Sequence, residues 1–220
     1  MELSLERTDL DQMIAQQVRT CDVHDERILD TLRAVLRSEF AAPAWRELAC
    51  TDAALPLGHG KHMLAPLLVG RILQALDLRG HEQILEVGTG SGYLSACLAR
   101  LGSHVRSLEI HPDLAQAARA NLIRSGDAER VEVLSADGMQ LAEESRYDTV
   151  VLTASLPIYV ERFERALKPG GTLFVVTGLD PVMVALRVRR TGTDSFERTT
   201  LFETSLEPLE NAPAPPEFGF

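Results

Sequence analysis

The stretch Ile84–Tyr93, ILEVGTGSGY, constrains this chain more than any other. Ile84, Leu85 and Val87 read as a short buried strand, and Gly88, Gly90 and Gly92 follow at G-x-G-x-G spacing. Apolar residues at helical spacing come next, over 93–101. A strand running through glycines into a helix brings bare backbone N–H groups and a positive helix end up to a ligand. Glycine suits such a bend because a Cβ would obstruct close approach or the required positive φ. An isolated trio of this kind is also found in plain strand–helix turns, so the rest of the chain must decide its meaning.

The third glycine comes one residue earlier than in the G-x-G-x-x-G of dinucleotide-binding folds, and Glu86 sits inside the strand end. A carboxylate there would repel a pyrophosphate, but it suits a ligand with an amino group and a sulfonium. E-V-G-T-G-S-G resembles motif I of the S-adenosylmethionine (SAM)-dependent methyltransferases. The resemblance implies a SAM seat that includes Gly88, Thr89, Gly90, Ser91 and Gly92.

Downstream, strands and helices alternate. Strands are expected at 84–87, 105–110, 131–134, 147–153 and 172–177, and helices at 91–101, 112–124 and 156–167. This alternation predicts an α/β, doubly wound, mainly parallel sheet covered on both faces. Segments 182–190 and 197–206 read as a closing antiparallel pair turned at 191–194. Upstream, 10–20 and 25–36 have helical spacing, with Asp9 as a candidate cap for the first. Residues 51–66 read as a loop punctuated by glycines and prolines, and 67–78 as a helix. The expected organisation is a helical extension and substrate loop over 1–66, a core over 67–209 and a loosely held tail over 210–220, with no linker that would separate two domains.

Acidic residues fall at successive strand ends, where ligands bind in open parallel sheets. Glu109 lies 21 positions after Gly88, close to the interval at which an acid reaches ribose hydroxyls. Its two oxygens can accept from both hydroxyls of a vicinal diol, and Ile110 adjoins it. Asp137 follows the third strand and can accept from an adenine amino group, while Gly138 lets a ring lie close. Each acid taken singly reads as an ordinary solvated residue at a loop start. Their placement in step with the glycine loop favours a cofactor site.

The family can be narrowed. From about Met13 to Leu209 the chain resembles the protein-L-isoaspartate O-methyltransferase family. It shares that family's glycine loop with its tyrosine, S-L-E at Ser107–Glu109, and A-D-G at Ala136–Gly138 where the family has G-D-G. Arg37-Ser38-Glu39-Phe40 is similar to the family's R-x-x-F, and Asp52 with Leu55-Pro56-Leu57-Gly58 to its D-x-x-L-P-I-G. Lys168-Pro169-Gly170-Gly171-Thr172 is similar to a segment common in SAM methyltransferases, and Leu206-Glu207-Pro208-Leu209 to the family's closing V-P-L. The resemblance implies methyl transfer from SAM to the free α-carboxylate of an isoaspartyl residue in a protein or peptide. It leaves the order of the last two strands open.

One segment departs from the family. Where the family has G-x-T-I-S-x-P, with a functional serine, this chain has Gly60-Lys61-His62-Met63-Leu64-Ala65-Pro66. Leu64 cannot hydrogen-bond a carboxylate. The substrate loop, Gly60, His62, Met63 and Leu64, therefore points to altered or lost isoaspartyl specificity, to a different small-molecule or protein acceptor, or to a SAM-binding module without turnover. His62 is a candidate general base for a hydroxyl or amine acceptor. His59 and His62 lack a third ligand at useful spacing, so no metal is expected.

The net charge of −10 argues against nucleic-acid or anionic-membrane partners. The three widely spaced cysteines form no disulfide framework, the N-terminus has no signal-peptide pattern, and no apolar run approaches a bilayer span. A cytoplasmic location is expected.

Overall fold

The computed structural model describes residues 2–215, with side chains from residue 8. Its centre is a seven-stranded sheet. The strands are β3 (Gln83–Val87), β4 (His104–Glu109), β5 (Val131–Ser135), β6 (Tyr147–Leu156), β7 (Leu167–Leu179), β8 (Val182–Arg190) and β9 (Phe196–Glu203), in the order β5-β4-β3-β6-β7-β8-β9. The first five in that order run parallel; β8 is antiparallel to both neighbours. The α/β sandwich expected from the alternation is present. The last three strands form a meander because only Asp180 and Pro181 separate β7 from β8, too few for a crossover.

A separate hairpin, β1 (Leu55–Gly58) with β2 (Lys61–Met63), precedes the sheet. This corrects the loop expected at 51–66. His59 and Gly60 turn the hairpin with φ of 52° and 69°, the left-handed pair that a two-residue turn needs.

The first helix also differs from expectation. Helix α1 (Glu2–Met13) continues through a wider turn at Ile14–Val18 and a tighter one at Arg19–Cys21. Asp9 lies inside it, seven residues past its start, and so is not its cap. Helix α2 (Glu26–Ala34) is capped by Asp25, which accepts from Arg27 N at 2.9 Å. Helix α3 (Pro66–Leu76) starts on a proline, whose missing N–H costs nothing in a first turn. Asp52 accepts from Leu67 N at 3.0 Å in that same turn. Helices α4 (Tyr93–Leu101) and α5 (Pro112–Ser125) match the expected segments closely.

The helix expected at 156–167 is reduced to one turn, α6 (Arg162–Arg165). Strand β6 runs through that helix's expected start to Leu156. Pro157 disfavours a helical conformation at the residue before it, and Ser155 is engaged by the chain's later segment. Ser155 N donates to Glu207 O and Leu209 N to Ser155 O, each at 2.8 Å. Strand β7 begins at Leu167 and so includes Lys168–Gly171, which read as a turn before the strand. Strand β9 stops at Glu203, leaving 204–206 outside the sheet.

Strand β3 shows how the two faces are filled. Ile84 packs in one apolar cluster with residues from α1 to α4, while Leu85 and Val87 pack in the other with Met139, Tyr147 and Phe163. The first cluster joins Leu10, Ile14 and Leu32 continuously to Val151 and Phe174. No described helix is long and apolar enough to cross a membrane.

Candidate active site

A cavity of about 690 Å³ opens at the C-terminal ends of β3, β4 and β5 and extends over the hairpin and the start of α3. This volume lies within the range of small-ligand sites. Of the residues singled out in the sequence, Gly88, Thr89, Gly90, Ser91, Glu109, Ile110, Asp137, Gly138, His62, Met63 and Leu64 line it. Glu86, Gly92 and Gly60 do not.

Glu86 is the substantive correction. Side chains alternate along a strand, and Glu86 faces the α4 side beneath the glycine loop, fully buried. Its Oε2 accepts from Ser95 and, at 2.6 Å, from Ser107. Ser107 Oγ lies 2.5 Å from Thr89 Oγ1. The carboxylate thus supports the loop from below through two hydroxyls instead of facing a ligand. Burial pushes its pKa up to about 7, against the opposing hydrogen bonds from Ser107 and Ser95. Among the described residues its Oε1 has no partner, which fits a carboxyl that is readily protonated.

The glycine loop is held by its neighbours. Gly88 has φ +96°, and a Cβ there would lie 2.2 Å from Thr153 Oγ1. Thr153 Oγ1 donates to Gly88 O at 2.7 Å. A Cβ on Gly138 would lie 2.3 Å from Val87 Cγ1. Both positions demand the bare backbone for close packing.

Glu109 accepts from Gly90 N at 2.8 Å through Oε2 and from His111 N at 3.1 Å through Oε1. Each oxygen retains acceptor capacity for a diol hydroxyl. Asp137 accepts from Met139 N at 2.8 Å, and its other oxygen accepts from Asn211 Nδ2 at 3.1 Å. With Leu108, Ile110 and Leu114 supplying an apolar wall, these groups fit the ribose and base of an adenosyl ligand.

The half of the cavity beside the hairpin is built differently. Arg37, 2% exposed, donates to Ala49 O, Ala53 O and Leu64 O at 2.8–3.1 Å, fixing both ends of the segment that carries the hairpin. Leu57, Met63, Leu64, Leu67 and Leu68 make this end apolar. A strap, residues 204–211, runs across it from the end of β9. His62 Nδ1 lies 2.5 Å from Glu207 Oε1, Lys61 Nζ 3.2 Å from Glu210 Oε1, and His111 Nε2 2.9 Å from the same oxygen. Residues expected to be loosely held are therefore tied down at Glu210 and Asn211; 216–220 lie outside the described residues. His59 is drawn to Asp113 at 2.9 Å and stacks on His111 at 4.0 Å.

Several residues here escaped the sequence reading. Thr153 ends the strand expected at 147–153 and was open to the same logic as Glu109, although β6 itself continues to Leu156. Arg71 and Phe202 come from separate parts of the chain and carry no local signal, and Glu207 entered only as part of the closing segment 206–209.

The protein-L-isoaspartate(D-aspartate) O-methyltransferase family model matches residues 8–212, spanning both halves of the cavity. The chain belongs to this family. A protein-L-isoaspartate O-methyltransferase 1 from Anaeromyxobacter sp. is 35% identical over 201 residues, covering 90% of this chain and 95% of the relative. The protein-L-isoaspartate O-methyltransferase of Methanoculleus marisnigri is 36% identical over 179 residues, 81% of each chain. Among solved structures, a putative protein-L-isoaspartate O-methyltransferase from Plasmodium falciparum in complex with S-adenosyl-L-homocysteine (SAH) superposes with a TM-score of 0.78 at 19% identity. It covers 93% of this chain and 98% of its own. That likeness bears on the fold, including the seven-stranded sheet that carries the isoaspartate-family cavity.

Proposed function

We propose that this SAM-dependent methyltransferase transfers a methyl group to the free α-carboxylate of an isoaspartyl residue in a protein or peptide, with acceptor preference retuned by Leu64. The observation that carries the reading is the single cavity joining the glycine loop and strand-end acids to the hairpin loop.

SAM, when bound, supplies a methyl on a positively charged sulfur that is already a good leaving group. A carboxylate is already a nucleophile at neutral pH, so this chain's residues have little proton transfer to perform. Their work is alignment and exclusion of water. Glu109, Asp137 and the glycine loop would hold the adenosyl half. Arg37 fixes the backbone of the acceptor loop through Leu64 O, and the strap covers it. His62 has no proton to remove from a carboxylate; its contact with Glu207 supports a role in holding the strap.

Leu64 removes the hydroxyl that the family places beside the reacting carboxylate. The decisive measurement is labelled-methyl transfer to an isoaspartyl peptide by the native chain and by Leu64→Ser. The expected result is measurable activity in the native chain and about tenfold higher kcat/KM in the variant, on the order of one charge-assisted hydrogen bond. Absence of transfer by both would reject the acceptor class.

A second reading, an apolar small carboxylic acid as acceptor, is favoured by the leucine-rich acceptor half. A cytosolic location is supported by the scattered cysteines at 21, 50 and 97.

A further inference from the structure

The charged groups that line the cavity are nearly all engaged. Asp52 caps α3, Glu109 and Asp137 hold backbone N–H groups, and Glu207 and Glu210 are met by His62, Lys61 and His111. Arg71 is the exception. It lines the cavity from α3, one turn beyond Leu67 and Leu68, and among the described residues its guanidinium has neither a hydrogen-bond partner nor an ion-pair partner. It is nevertheless held in place. Its Cζ lies 3.6 Å from the centroid of the Phe202 ring. A guanidinium carbon this close over a ring is held by the ring face, which accepts no conventional hydrogen bond, so its N–H donors stay available to a carboxylate.

We infer that Arg71, stacked on Phe202, is the seat for the acceptor's α-carboxylate. This rests on the proposed carboxylate methyl transfer. The planar fork of N–H donors matches a carboxylate, and an oxygen that accepts one of these bonds keeps a further lone pair for attack. The place of Arg71 in the fold separates it from the residues that would hold the adenosyl group. Helix α3 packs on β7 and Phe202 belongs to β9, whereas the adenosyl-binding residues follow β3, β4 and β5 on the other side of β6. With leucine at position 64, Arg71 supplies the charge recognition that a hydroxyl no longer assists.

The test is calorimetry on the SAH-loaded protein with two probes, a peptide containing one isoaspartyl residue and the same peptide with its α-carboxylate replaced by a carboxamide. Native protein is expected to bind the carboxylate at least tenfold more tightly than the amide. Arg71→Gln is expected to weaken carboxylate binding at least tenfold, leaving amide binding and the Kd for SAH within twofold. Phe202→Leu keeps the charge and removes its platform, and is expected to weaken carboxylate binding about threefold; it serves as the second variant if Arg71→Gln does not fold. Undiminished preference for the carboxylate in the variants overturns the assignment while leaving the acceptor class intact. Weakened SAH binding with unchanged peptide binding gives Arg71 to the cofactor's carboxylate and also overturns it. Failure of the native protein to bind either peptide removes the acceptor class and this inference together.

Discussion

Glu86 is the residue whose consequences reach furthest from its own position. Folding takes its carboxyl out of water and raises its pKa to about 7, from about 4.3 for an exposed glutamate. Between those values the folded chain holds the proton more tightly than the unfolded chain. Stability therefore falls as pH rises through this window and levels off above it. Glu86→Gln keeps the shape and an oxygen for Ser95 and Ser107 without the charge. It should be more stable than the native chain at pH 8, by at most about 4 kcal/mol, and the two should converge below pH 4. Thermal melts at the two pH values check this; an equal difference at both would reject it. At this scale, what could be read from the sequence was what the backbone alone dictates. Gly88 and Gly138 announce close packing, and Glu109 and Asp137 follow from counting to strand ends. The direction of Glu86 depends on which face of β3 meets α4, and the partnership of Arg71 with Phe202 on two distant segments meeting. Neither is a local property.

At the scale of elements, the strap and the hairpin behave as one covering. Their side-chain ties are partly exposed ion pairs, individually worth about 1 kcal/mol or less, and the backbone bonds to Ser155 add to them. Replacing both Glu207 and Glu210 by glutamine should loosen the covering without unfolding the sheet. The expected outcome is faster amide exchange at Ser155 and Leu209 and several-fold faster SAH release, with the β3 and β4 amides unchanged. Equal release rates would show that the strap does not limit exit. Element prediction succeeded where one period dominated, as in α4, α5 and β3 to β5. It failed at 156–167 because Leu156, Val160, Phe163 and Leu167 mimic a helical stripe. There Pro157 and the backbone bonds of Ser155 to Glu207 and Leu209 accompany an extended start. The hairpin at 55–63 was hidden by its glycines and prolines, which mark turns without showing that short strands flank them.

At the scale of the whole molecule, the N-terminal helices, one face of the sheet and the start of the strap share one continuous core, and the sheet, hairpin and strap line one cavity. A ligand in that cavity should therefore stabilise the chain as a unit. SAH at one hundred times its Kd adds about 2.7 kcal/mol, which for a chain of this size is an upward Tm shift of about 5–10 °C. A thermal-shift titration checks it, and an unchanged Tm at millimolar SAH would remove the cofactor site from the description. Alternation of strands and helices was enough to give the sheet its parallel character. It could not order the final strands, which are set by two short turns and by the route the chain takes back to Ser155. That return route has a consequence for turnover. Asn211 meets Asp137 beyond the end of β5, and Glu207 meets His62 on the hairpin, within a span of five residues. Lifting this segment uncovers both ends of the cavity at once, so whatever occupies one end is expected to exchange together with whatever occupies the other.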